Sequence, residues 1–62
     1  MTNEEKAITY DNCLRESDYL QRKNSKIKSE HAGNIPQNLQ LILDKNTARI
    51  NVLVKTLEGL FN

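Results

Sequence analysis

The chain has 62 residues, with nine lysines and arginines against eight aspartates and glutamates, and a formal net charge of +1. Hydrophobic residues make up 37% of it and aromatic residues only 5%. This length excludes a Rossmann domain, a barrel or any other large catalytic fold. The near-neutral charge argues against a nucleic-acid-binding tail, and the apolar second half argues against disorder throughout.

A core of this size is marginally stable by itself. Below about 70 residues, the free energy gained by burying apolar surface nearly equals the entropic cost of ordering the chain. Such chains therefore usually need a cross-link, a metal or a partner. Cys13 is the only cysteine, which excludes an intrachain disulfide and favours a reducing, cytoplasmic location. Cys13 and His31 are the only thiol and imidazole groups, so we expect no metal or other cofactor. The expected routes to stability are therefore self-association and binding to another protein.

We predict no targeting or membrane segment. Charged residues occur throughout residues 1–20, which is unlike the apolar region of a signal peptide. No run approaches the roughly 18 apolar residues that a spanning helix needs. The few basic residues of the second half also argue against binding to a membrane surface.

The first predicted helix runs from about residue 3 to residue 31. Thr2 and Glu5 have the spacing of a capping box at its start. No glycine or proline interrupts it, although the modest helix propensity of Lys23-Asn24-Ser25 leaves a bend there as an alternative. Three pairs of opposite charge at i, i+4 support it: Asp11–Arg15, Asp18–Arg22 and Lys26–Glu30.

A turn is predicted at residues 32–36, followed by a second helix over about residues 37–61. Gly33 suits the left-handed conformation that ends many helices. Asn34 is the predicted N-cap of the second helix, with Gln37 as its capping-box partner and Pro36 in the first turn. So short a connection favours antiparallel neighbours, and the sequence therefore predicts a single helical-hairpin domain.

Both predicted helices carry heptad patterns. In the second helix, position a holds Leu43, Ile50 and Leu57, and position d holds Leu39, Asn46, Leu53 and Leu60. In the first helix the pattern is weaker, with Tyr10, Ser17 and Asn24 at a and Cys13, Leu20 and Ile27 at d. Alternate spacings of three and four are typical of coiled-coil packing. The sequence therefore predicts an intrachain seam of Tyr10, Cys13, Leu20, Ile27, Leu43, Ile50, Leu53 and Leu57.

The register of this seam follows from folding the chain at the break. Facing residues then have numbers that add to 70, which puts the centre of the fold at residue 35, inside the predicted turn. This register places Asn24 and Asn46 in one layer. Two interpretations stay open: the asparagines hydrogen-bond and fix the register, or a slight rotation turns one of them to solvent.

The second helix has more apolar surface than the first helix can cover, because the first helix has many polar residues. Ile42, Val54 and Phe61 flank the seam, with Leu39 and Leu60 at the ends, and these five residues are the predicted partner-binding surface. The alternative is that single exposed apolar residues are ordinary surface features, which is our interpretation of Leu41 and Val52.

Catalysis is not expected. On a continuous helix Cys13 and His31 are about 27 Å apart, too far for a nucleophile and its base. Nucleic-acid binding is a weaker alternative, because the candidate phosphate contacts Arg22, Lys23, Lys26 and Lys28 lie within seven residues. The helix dipole offers another explanation of this cluster, because basic residues near the C-terminal end of a helix stabilise it without any nucleic acid.

In length and two-helix plan the chain resembles small helical-hairpin dimers of the plasmid copy-control Rop type. The likeness in sequence is confined to the opening, Met1-Thr2 followed by Glu5-Lys6. It implies an antiparallel four-helix bundle made by two copies, and no functional residue is carried over.

The sequence thus predicts an all-α antiparallel hairpin that completes a four-helix bundle by dimerisation or by docking on a partner. The expected function is a non-enzymatic protein–protein interaction module: a small adaptor, regulator or assembly subunit. Two alternatives remain, a hairpin-dimer nucleic-acid-binding regulator and a small inhibitor of a cellular enzyme.

Overall fold

In a computed structural model that describes residues 1–61, the chain forms two α-helices, α1 (Asn3–Glu30) and α2 (Gln37–Leu60). They pack side by side in a rod about 46 Å long and 14 Å across. Contacts join the start of α1 to the end of α2, so the helices are antiparallel. The predicted all-α helical hairpin is confirmed, and residues 1–61 include no strand.

Helix α1 begins at the predicted capping box. The Glu5 backbone N–H donates to Thr2 Oγ1 at 3.1 Å, and the Thr2 N–H donates to Glu5 Oε1 at 3.3 Å. The helix runs without interruption through Lys23-Asn24-Ser25. It ends at Glu30, one residue before the predicted bound, and the N–H of His31 donates to the Ile27 carbonyl at 3.1 Å.

The turn contains the one residue with positive φ among residues 1–61, Gly33 at 92°. The prediction of Asn34 as the N-cap of α2 is wrong, because Pro36 takes that place without a side-chain hydrogen bond. The Pro36 carbonyl accepts the N–H groups of Leu39 and Gln40 at 3.0 and 2.9 Å. The physical reason is that a residue before proline disfavours the helical conformation, so Ile35 cannot be the first residue of a helix.

The core is a single seam between the two helices. Its best-buried apolar residues are Leu43 and Leu53, each 3% exposed, followed by Cys13 and Leu60. Leu20, Ile27, Ile50 and Leu57 are half-buried, whereas Tyr10 lies at the edge and is 42% exposed. A two-helix layer thus leaves most seam residues partly open on at least one side.

A polar layer crosses the seam towards the turn. Asn46 Nδ2 donates to Asn24 Oδ1 at 2.9 Å, and Asn24 is buried. The hydrogen-bonded interpretation of this pair is therefore confirmed. Ser17 is also buried, and its hydroxyl accepts a hydrogen bond from Gln21 Nε2 at 3.3 Å.

Ion pairs lie on the surface of the hairpin. Asp11–Arg15 and Asp18–Arg22 form as predicted, each at 2.9 Å. The predicted Lys26–Glu30 pair does not form in the described part of the chain. Pairs as exposed as these contribute little, about 0–1 kcal/mol each.

Candidate partner-binding surface

Two side-chain contacts across the seam identify the two long flanks of the hairpin. On one flank, Arg49 donates from Nε to Glu16 Oε2 at 2.6 Å and from its terminal nitrogen to Glu16 Oε1 at 3.1 Å. We call this side the ion-pair flank. On the other, at the open end of the hairpin, the rings of Tyr10 and Phe61 meet edge to face at 5.8 Å.

The predicted partner-binding residues do not share one flank. Val54 and Phe61 are seven residues apart, which places both on the same side of α2. Ile42 precedes Val54 by twelve residues, a rotation of about 120°, and precedes Arg49 by seven. The structure therefore places Ile42 on the ion-pair flank, away from Val54 and Phe61.

The two end residues of the predicted surface belong to the seam. Leu60 is only 9% exposed, and Leu39 is half-buried. Their side chains already pack against α1 and offer little surface to another molecule. Of the five predicted residues, Val54 and Phe61 alone form an exposed group on one side.

Two residues of α1 extend this group. Ala7 and Leu14 are exposed, and Leu14 follows Tyr10 by four residues, so it lies one turn along the same side of α1. The antiparallel register sets Leu14 beside Val54 and Ala7 beside Phe61. We call these four residues, Ala7, Leu14, Val54 and Phe61, the apolar flank.

Sequence reasoning missed the contribution of α1 because Leu14 falls outside positions a and d of the weaker heptad. The signal was present in the predicted register, which brings residue 14 level with residues 54–57 of the second helix. Ala7 has no comparable signal, since a single alanine on a helix is uninformative.

The charged residues three or four positions from each member of the apolar flank, on the same helix, are all acidic. On a helix, residues three or four apart are surface neighbours. Among residues so placed relative to Ala7, Leu14, Val54 and Phe61, every charged one is acidic: Glu4, Asp11, Asp18 and Glu58. We call these four the acidic rim.

The other exposed apolar residues of α2 have different surroundings. Three or four positions away, Ile42 has Lys45, Val52 has Arg49 and Lys55, and Leu41 has one residue of each sign, Asp44 and Lys45. Exposure alone therefore does not distinguish the apolar flank. Its grouping of exposed apolar side chains from two helices does.

The ion-pair flank is bridged by the charged pair of Glu16 and Arg49. The pKa of Glu16 is lowered from its ordinary 4.5, because its carboxylate accepts a hydrogen bond from Arg49, and partial loss of solvent opposes this only in part. The same hydrogen bond raises the pKa of Arg49 above its ordinary value. Both groups thus remain charged at neutral pH.

The four candidate phosphate contacts diverge. Arg22 is bonded to Asp18, and the ammonium of Lys23 lies over the Tyr19 ring, 5.0 Å from its centre. On one continuous helix, residues 22, 23, 26 and 28 are spread over more than half of the circumference. The structure therefore does not bring Arg22, Lys23, Lys26 and Lys28 into a single phosphate-binding stripe.

Cys13 is buried in the seam, and His31 caps the far end of the same continuous helix about 27 Å away. Residues 1–61 contain no group of three His, Cys, Asp or Glu side chains placed to hold a metal ion, and they enclose no pocket. Neither helix, over its described residues, has the length and apolar character to cross a membrane.

Comparisons with known proteins give no further guide to this surface. No protein-family model, curated protein or solved structure matches this chain.

Proposed function

We propose that this chain is a non-enzymatic protein–protein interaction module that binds through the apolar flank. The observation that carries the proposal is the exposure of Val54 and Phe61 beside Leu14 on one side of the hairpin. A chain of this length gains too little from a two-helix seam to be strongly stable by itself, and covering this flank would bury further apolar area.

The proposal narrows the surface expected from the sequence. Val54 and Phe61 remain at its centre, and Leu14 and Ala7 replace Ile42. Leu39 and Leu60 act indirectly, because they hold α2 against α1. An adaptor, an assembly subunit and an inhibitor that covers another protein's site all require this same contact, and so does a four-helix bundle of two hairpins.

Phe61 has a defined orientation that suits such a role. Its ring packs edge to face against Tyr10, a geometry that contributes about 0.5–1.5 kcal/mol in buried pairs. A fixed aromatic side chain loses little conformational entropy on binding, which is why such residues dominate interface energetics.

A site-specific crosslinking experiment tests the proposal. A photoreactive phenylalanine analogue replaces Val54 in one variant and Val52 in the other, in the cells that produce the protein. The two valines are two residues apart on α2, 40% and 51% exposed, and they face different sides of the helix. We expect a discrete adduct from position 54 and none from position 52.

The adduct mass identifies the class of partner. An adduct of twice the 7.1 kDa chain indicates self-association, and any other discrete mass indicates a different protein. No adduct from either position, or equal adducts from both, would contradict the proposal.

A further inference from the structure

We propose that the occupant of the apolar flank is a basic amphipathic helix of another protein, whose Lys or Arg side chains bind the acidic rim. This inference rests on the proposed function and adds the chemistry of the partner. Its basis is the charge of the residues that surround the flank.

The acidic rim borders the apolar flank on both helices. Asp11 follows Ala7 by four residues and precedes Leu14 by three, and Glu58 has the same relation to Val54 and Phe61. Glu4 and Asp18 extend the row on α1. Each helix thus sets a carboxylate directly beside its two exposed apolar side chains.

These carboxylates are available to a partner. Glu4 and Glu58 form no ion pair within residues 1–61. Asp11 and Asp18 form ion pairs with Arg15 and Arg22. These pairs are solvent-exposed and contribute little free energy, so replacing either arginine by a partner's guanidinium costs little. A buried interface that left Glu4 or Glu58 without a cation would be strongly unfavourable.

A second copy of the chain fits this surface poorly. In a twofold-symmetric contact through the apolar flank the same patch faces itself, so the acidic rim of one copy would meet that of the other, with Glu4 and Glu58 carrying no cation of their own within residues 1–61. Like charges set together across an interface strongly disfavour the complex. The charge of the rim therefore selects against self-association on this flank and for a basic partner.

The spacing of the flank fits a helix. Ala7 and Leu14 are two turns apart on α1, as are Val54 and Phe61 on α2, which is about 10 Å along each axis. A helix with apolar residues at i, i+3 or i+4, and i+7 covers the same length. Laid along the flank, it would set its flanking Lys or Arg residues against the acidic rim.

Two synthetic helical peptides test the inference. Both carry leucine at i, i+3 and i+7, and one has lysine where the other has glutamate. We expect the lysine peptide to bind at least about tenfold more tightly at low salt, and to weaken as salt rises. Amide and methyl shifts in NMR spectra should move at Leu14 and Val54.

Matched variants locate the contact. Val54→Ser should weaken the lysine peptide about threefold or more, whereas Val52→Ser should leave it within about twofold, because binding at the apolar flank buries only the 40% of Val54 that is still exposed. Glu58→Lys should weaken the lysine peptide and strengthen the glutamate peptide. Glu30→Lys, at the other end of the hairpin, is its control and should change neither.

The other outcomes separate this inference from the proposed function. Equal binding of both peptides at the flank would overturn the basic partner and leave the interaction surface standing. Binding of neither, with a dimeric solution mass that Val54→Ser abolishes and Val52→Ser preserves, would assign the flank to a second copy. Binding of neither, without crosslinked adducts from position 54, would overturn both proposals.

Discussion

The hydrogen bond between Asn24 and Asn46 is expected to stabilise the hairpin and to fix its register. Asn24 is buried, and its Oδ1 accepts a hydrogen bond from Asn46 Nδ2 at 2.9 Å. Asn46→Ala removes that donor, and a buried acceptor without a partner costs about 1–3 kcal/mol. For a domain of this size, each kcal/mol lowers the Tm by roughly 4–8 °C.

A double-mutant cycle isolates the hydrogen bond from the lost packing. Asn24→Ala and Asn46→Ala are measured singly and together by thermal unfolding, followed by circular dichroism. All variants are compared at one protein concentration, because association would make the Tm concentration-dependent. We expect a coupling of about 1 kcal/mol, the usual net value of a neutral hydrogen bond.

The control for this cycle is Asn51→Ala, an exposed asparagine on α2. It should show no coupling to Asn24→Ala, because distant sites add to within about 0.3–0.5 kcal/mol. A coupling between positions 24 and 46 that is equally small would refute the reasoning. It would mean that water satisfies both amides as well as they satisfy each other.

Three further outcomes are expected. Leu53→Ala should destabilise the hairpin by about 2–5 kcal/mol and remove most of its helical circular dichroism at 37 °C, since Leu53 is among the best-buried residues of the seam; retention of the parent signal would contradict this. Gly33→Ala should lower stability by about 1–2 kcal/mol, because an L-residue is strained at a φ of 92° even with open space around its Cβ; an unchanged midpoint in urea would show that the turn relaxes. Because the pKa of Glu16 is lower in the folded state than in the unfolded state, its carboxylate stabilises the fold above about pH 4.5. This stabilisation is lost as the pH falls through the folded-state pKa. The Tm of Glu16→Gln should therefore decline less between about pH 6 and pH 3 than that of the parent, and equal declines would contradict a role for Arg49.

The helix bounds and the turn were readable from the sequence because their signals are local. The Thr2–Glu5 capping box and the position of Gly33 each depend on a few neighbouring residues. The error at Asn34 was also local in origin, since the constraint that proline places on the residue before it outweighed a favourable N-cap side chain. The register of the seam was predictable because the short turn fixes which residues can face each other.

By itself, the sequence determined that two amphipathic helices fold back at residues 32–36 and that Asn24 and Asn46 share one layer of the predicted register. Only the tertiary structure decided how far each helix is rotated about its axis. That rotation bonded Asn24 to Asn46, joined Glu16 to Arg49, and set Leu14 of α1 on the same side as Val54 and Phe61 of α2. The physical reason is that heptad spacing specifies which residues turn inward, whereas the grouping of outward residues from two helices depends on the packing of both.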